Sequence, residues 1–256
     1  MNSRSERHIG GVESLTPLAP RYLRRVLFRQ IWRDLVFLHW EVDSCDVARL
    51  MPQGTVPDLY RGHAYAGLVF FRMEDFAFGH TTPLPYLSSF NEVNVRLYSR
   101  DALGRRGVVF RSLDCDRLLP VLAARAGFGL PYRWARVSRQ WYGRRLLYRT
   151  RGRVHERPSG RVWVQVSDGV VKPRPLDEFL TYRWGLHGRG PARSYYMPNA
   201  HPMWTFQRCD LLGWDASPLA AAGVTPLRAE PDSVLYAPGV PVRFGTPARL
   251  PPSRTR

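Results

Sequence analysis

The sequence predicts a β-rich α+β fold, with antiparallel strands curled into a barrel or sandwich around one principal helix. Three observations carry this. Short apolar stretches with period-two alternation recur along the chain, as in VWVQV at 162–166. The 22 prolines and 21 glycines are scattered between such stretches, where they suit turns. A single stretch, DRLLPVLAARAGFG at 116–129, keeps helical spacing up to a clear stop. With 256 residues and 44% hydrophobic content the chain can bury a substantial core, and one domain over 21–245 is the simplest division.

Residues 1–20 read as a flexible lead. From Arg21, the positions Leu23, Val26, Leu27, Gln30, Ile31 and Asp34 keep rough helical spacing, so this segment reads as a surface helix or edge strand. Val36 to Trp40 reads as a strand. Asp46 to Leu50 fits one helical turn, stopped by Pro52. His63 to Met73, HAYAGLVFFRM, is apolar throughout its middle and reads as a buried strand. Pro83 to Phe90 is a turn-rich lead into the alternating run ending at Tyr98, and Gly107 to Leu113 is another strand. Asp114 or Asp116 is the natural N-cap of the principal helix, expected over 116–128 and ended by Gly127 and Gly129. Strands return at Leu146–Thr150 and Arg161–Val166. Leu176 to Arg183 suits a short helix, and Met203–Arg208 and Ser233–Ala237 complete the strands. Residues 246–256, TPARLPPSRTR, read as a disordered tail.

The formal charge of +17 invites a nucleic-acid reading. Against it, Lys172 is the only lysine, which looks like a codon bias toward arginine, and the arginines are dispersed along the chain. Nucleic acid is therefore not the expected partner. Three distant cysteines, Cys45, Cys115 and Cys209, form no CxxC pair, which fits a reducing cytoplasm. The longest apolar run, Ala64 to Phe71, is too short to span a bilayer. The seven histidines show no metal-ligand spacing, and no phosphate loop, nucleotide fingerprint or GxSxG elbow occurs. Neither a metal nor a cofactor is expected, and homo-oligomerisation is left open.

The most informative stretch is FNEVNVRLY at 90–98. On a strand, Val93, Val95 and Leu97 point one way, while Glu92, Asn94, Arg96 and Tyr98 point the other. That second face is either a solvated surface or the wall of a polar pocket, in which Arg96 would clamp a carboxylate and Glu92 serve as base or acceptor.

The segments FLHWEVD (37–43), GLVFFRM (67–73), PYLSSFNEVNVRLY (85–98), SLDCDRLLPVLAARAGFGLPYRWAR (112–136) and LDEFLTYR (176–183) resemble the uncharacterised bacterial YqjF-like family. That family is grouped with the acetoacetate-decarboxylase-like superfamily, and the resemblance runs from about Trp32 to Gly239. It implies a cone- or barrel-like antiparallel sheet around a central cavity. Glu92 resembles an inward glutamate of those decarboxylases. Their Gly-x-Pro-Lys-Lys segment, whose first lysine forms a Schiff base, corresponds here to Gly129-Leu130-Pro131-Tyr132-Arg133. A phenol forms no imine, so Schiff-base decarboxylation is not expected. The resemblance favours the pocket reading, with Glu92, Asn94, Arg96, Tyr98, Tyr132 and Arg133 as ligand-binding candidates. Tyr132 is alternatively a packed aromatic, and Glu178 and Arg183 either close the pocket or belong to a surface helix. The expected function is binding of a small polar or acidic molecule, with catalysis left open. The alternative is an arginine-rich interaction protein that contacts nucleic acid or another acidic partner.

Overall fold

The computed structural model describes residues 11–84, 88–153, 159–190 and 193–251. Its elements run β1 (Val26–Val42), α1 (Ser44–Arg49), β2 (Thr55–Pro57), β3 (Ala64–Phe78), β4 (Phe90–Asp101), β5 (Arg106–Cys115), α2 (Leu118–Phe128), β6 (Tyr132–Tyr142), β7 (Arg145–Gly152), β8 (Ser159–Val171), α3 (Pro175–Thr181), β9 (Gly185–Arg189), β10 (Ser194–Ala200), β11 (Phe206–Asp215), α4 (Ser217–Ala221), β12 (Ser233–Gly245) and β13 (Ala248–Arg249). The strands form one large curved sheet in the order β13-β10-β9-β5-β6-β7-β8-β11-β12-β1-β3-β4-β2. Pairing is antiparallel except where β5 meets β6 and β9. Because β4 also pairs with β5, the run from β5 through β6, β7, β8, β11, β12, β1 and β3 to β4 closes on itself. A pairing of β10 with β12 closes a second circuit through β9.

The two circuits share the wall β12-β1-β3-β4-β5, and each face of that wall is buried. Val36, Leu38, Trp40, Leu68, Phe70, Val93 and Val95 pack on one side with Leu146, Tyr148, Val162 and Val164. Leu35, Phe37, Val69, Phe71, Met73 and Phe90 face the other side, with Leu186, Met197 and Phe244. A strand buried on both faces reads as a continuous apolar run, as Val36–Trp40 and Ala64–Phe71 do.

The segment from Arg21, expected as a surface helix or an edge strand, is a strand from Val26, but β1, 17 residues long, lies inside the sheet between β12 and β3. Asp34 sits in the left-handed region at φ 51, inside a register shift between Arg33 and Val36. This bulge flips side-chain parity. Phe28, Gln30 and Trp32 share a face with Leu35, and an even-to-odd switch mimics helical spacing. Asp34 is held there by Tyr236 Oη at 3.0 Å, Trp141 Nε1 at 3.3 Å and the Arg139 guanidinium, while its carbonyl accepts from Tyr148 Oη. Asp75, at φ 53, accompanies the same switch in β3, from Val69, Phe71 and Met73 to Phe76 and Phe78.

The principal helix is α2, with Gly129 at φ 63 as its left-handed stop. Its N-cap is Arg117, with no side-chain cap bond, so neither aspartate caps it. Asp116 instead accepts from the backbone and side-chain amides of Asn91, and Asp114 pairs with Arg133. The expected disordered tail departs too. Ala248–Arg249 pairs with β10, and Leu250 N donates to Ser194 O. Residues 252–256 and 1–10 lie outside the described residues, as do 85–87 of the expected lead-in turn. No helix among the described residues is long and apolar enough to cross a membrane.

Candidate functional site

The inner face of the shared wall borders a cavity of about 310 Å³. Strand β4 supplies most of its polar floor. Alternation points Glu92, Asn94 and Arg96 inward, while Val93, Val95 and Leu97 enter the dry core behind them. Tyr132 opens β6 directly opposite Leu113 of β5, and both line the cavity. Its hydroxyl donates to Glu92 Oε2 at 2.7 Å, and Asn94 Nδ2 donates to Glu92 Oε1 at 3.3 Å.

Glu92 is 2% exposed. Burial pushes its carboxyl up to about 7, because a charged carboxylate loses hydration there. The bonds from Tyr132 and Asn94 and the nearby Arg96 charge act the other way without overcoming that cost. The Tyr132 phenol is held well above its ordinary range, first by burial and then by Glu92, so it remains a donor at neutral pH.

Arg96 is the unbalanced group. Its guanidinium lies over the Phe37 ring, 5.3 Å from the centroid. Its Nε is buried without a hydrogen-bond partner, and among the described residues no carboxylate lies within ion-pair distance of it. Burial lowers its pKa from the usual guanidinium value, yet arginine stays charged. By contrast Arg183, which is buried, is paired with Asp58, as is Arg106. Asn94 Oδ1 is likewise buried without a partner.

The two remaining candidates are not on the cavity wall. Tyr98 shares the inward parity of β4 but lies beyond Arg96, packed against His39 and Phe179 and under the Arg183 guanidinium. Gly67, between His39 and Arg96 in the ladder, lets these side chains converge. A Cβ there would sit 3.0 Å from Tyr98 Oη and 3.1 Å from His39 Cδ2. Arg133 is one residue out of phase with Tyr132, so it projects to the opposite face and bonds Asp114 Oδ1 at 2.7 Å. Glu178 and Arg183 are also absent from the wall, and Lys172 is exposed just beyond β8.

Above the polar floor the walls are largely apolar, with Gln30, Ser88, Thr81 and Thr82 as the uncharged polar exceptions. Phe28, Trp32, Phe71, Phe76, Phe90, Phe110, Phe128 and Phe244 line them, with Met73 and Met197. Sequence reasoning missed these residues, and it missed Gln30. On β1 and β3 the bulges at Asp34 and Asp75 break the alternation that would have put Phe28, Gln30, Trp32 and Phe76 on the cavity face, and the others come from elements that only the fold brings together.

The arginines are less dispersed in space than in sequence. Arg117, Arg136, Arg149, Arg151 and Arg153 surround a second concavity on the outer face of β6 and β7, with Asp116 at its edge. Arg136 faces Arg151 across the ladder, and Arg153 lies over Trp134 at 4.2 Å.

Residues 29–241 match the family DUF2071, described as an uncharacterized conserved protein. The chain belongs to this family. It is 29% identical over 186 residues to the uncharacterized protein YqjF of Bacillus subtilis strain 168, covering 72% of this chain and 76% of that one. Among solved structures it is similar to the enduracididine biosynthesis enzyme MppR in complex with pyruvate, at TM-score 0.62, 15% identity and coverage of 91% and 93%. It is also similar to acetoacetate decarboxylase from Legionella pneumophila, at TM-score 0.59, 14% identity and 93% of both chains. An acetoacetate-decarboxylase-like enzyme from Sphingomonas wittichii RW1 aligns at TM-score 0.59 and 13% identity, over 94% and 98% of the chains. At these identities the likeness shows the acetoacetate-decarboxylase-like fold alone.

Proposed function

We propose that the cavity binds a small organic acid, with its carboxylate on Arg96, and that Glu92 transfers a proton to or from the bound molecule. The observation that carries this reading is the Arg96 cation, without a carboxylate partner among the described residues, in a largely apolar cavity. A partly buried guanidinium without a counter-ion is costly, and a ligand carboxylate would offset that cost with two parallel hydrogen bonds. Glu92, near 7, is suited both to give and to take a proton at neutral pH. Tyr132 would hold and orient that carboxyl through its 2.7 Å bond. The MppR complex with pyruvate, itself a carboxylate, supports the same ligand class in this fold. Imine chemistry is outside this reading, since Lys172 is exposed and a phenol, Tyr132, holds the position that resembles the decarboxylases' Schiff-base lysine.

The test is a thermal-shift screen against keto, hydroxy and aromatic acids, run on the wild type and on Arg96→Gln. An acid at about 100 times its Kd should add roughly 2.7 kcal/mol of stability to the wild type, and much less to the variant. Equal stabilisation of both proteins, or of neither, would count against the reading.

The arginine concavity on β6 and β7 favours a second reading, in which an acidic partner docks on that outer face. Its binding would fall steeply as salt rises, whereas cavity binding would be far less salt-sensitive.

A further inference from the structure

We infer that the ligand is an amphiphilic carboxylic acid, with an aryl or alkyl body of several carbons, rather than a short polar acid. The inference rests on the acid-binding reading above and names the class that this site accepts. Among the described residues, the ionisable groups of the wall gather at one place, where β4 presents Glu92 and Arg96, with Asn94, beside Tyr132. The other polar lining residues, Gln30, Ser88, Thr81 and Thr82, are uncharged, and most of the remaining wall is aromatic or aliphatic. Phe28 stacks on Phe244 at 4.8 Å and touches Phe76 at 5.4 Å and Phe128 at 6.0 Å. A two- or three-carbon acid seated on Arg96 would leave this aromatic wall facing water, with only the uncharged Gln30, Ser88, Thr81 and Thr82 to hydrate. An apolar body would cover it and gain the free energy of burial.

The mouth continues the same pattern. Leu119 of α2, Leu84 and Phe78 border it and are 58%, 63% and 50% exposed. Large apolar side chains beside two threonines at the rim of a largely apolar channel, with Arg96 the one cation among its described lining residues, match a molecule with one charged end and a hydrophobic remainder. Charge complementarity sets its direction, carboxylate inward and body toward α2.

The experiment measures Kd for the straight-chain acids from acetate to octanoate, for phenylacetate and 3-phenylpropanoate, and for hexanamide as the uncharged control. Each added methylene should tighten binding about fourfold, so octanoate should bind roughly 250-fold more tightly than butanoate. Ala124→Phe, which narrows the cavity from α2, should end that tightening at a shorter chain while acetate is unaffected. Acids that bind wild type with Kd independent of chain length would overturn the amphiphile inference and leave the acid-binding reading standing. Hexanamide binding as tightly as hexanoate, with an unchanged chain-length slope, would overturn the acid anchor instead. If no member of the series binds, both fall.

Discussion

Replacing Glu92 by glutamine should change how stability depends on pH, and the size of the change follows from its burial. The carboxyl is 2% exposed and is pushed up to about 7 from an ordinary value of 4.5. Between those two values the folded chain holds a proton that the unfolded chain has lost. Stability therefore falls as pH rises from 4.5 to 7, then levels off. At ~1.4 kcal/mol per pH unit the full fall is about 3 kcal/mol. His39 and His201 act oppositely, since burial lowers them to about 3 and about 4 and they resist protonation when folded. The wild-type profile mixes these effects, whereas the difference between wild type and Glu92→Gln isolates the carboxyl. Glutamine can still accept from Tyr132, and it can donate to Asn94 Oδ1, which has no partner. Urea unfolding at pH 4.5 should give similar midpoints for the two proteins. At pH 8 the variant should be more stable by about 3 kcal/mol, a midpoint shift of about 1 M if m is ~3 kcal/mol/M. A difference curve that is flat across pH 4.5 to 8, or one that favours the wild type at pH 8, would refute the buried, proton-holding carboxyl.

Other perturbations test the neighbouring groups. Tyr132→Phe removes the bond that favours the Glu92 carboxylate, so the Glu92 titration should move above about 7, and stability at pH 8 should drop by about 1–3 kcal/mol. Gly67→Ala places a methyl against Tyr98, His39 and Arg96 and should cost about 1–3 kcal/mol of unfolding free energy; a neutral effect would mean that those side chains are not fixed as described. Incubation with pyruvate or acetoacetate and a hydride reductant should leave Lys172 unmodified by peptide mass spectrometry, and a reduced adduct there would contradict its exposed, cavity-remote position.

Local patterning alone determined much of this protein. Period-two alternation marked β4 and β8, because a strand's side chains alternate whatever lies beyond them. The α2 stop was legible because Gly129 can adopt φ 63 cheaply. The same alternation put Glu92, Asn94 and Arg96 on one face, and the family resemblance brought Tyr132 beside them. What alternation cannot say is whether a face meets water, an apolar core or a cavity, since that depends on strands distant in sequence. Closure of the sheet through β4 and β5 decided it. Parity across a bulge is also set by partners, which is why the bulge at Asp34, held by Tyr148, Tyr236 and Arg139, gave the start of β1 a helix-like spacing that left helix and edge strand both open. Arg133 and Tyr98 failed as wall residues for related reasons. One is out of phase with Tyr132 by a single residue, and the other lies past Arg96 where His39 and Phe179 fill the space. The lack of a partner for Arg96 is also a tertiary fact. Any carboxylate in the sequence could have faced it, and the fold spends Asp58 on Arg106 and Arg183 instead.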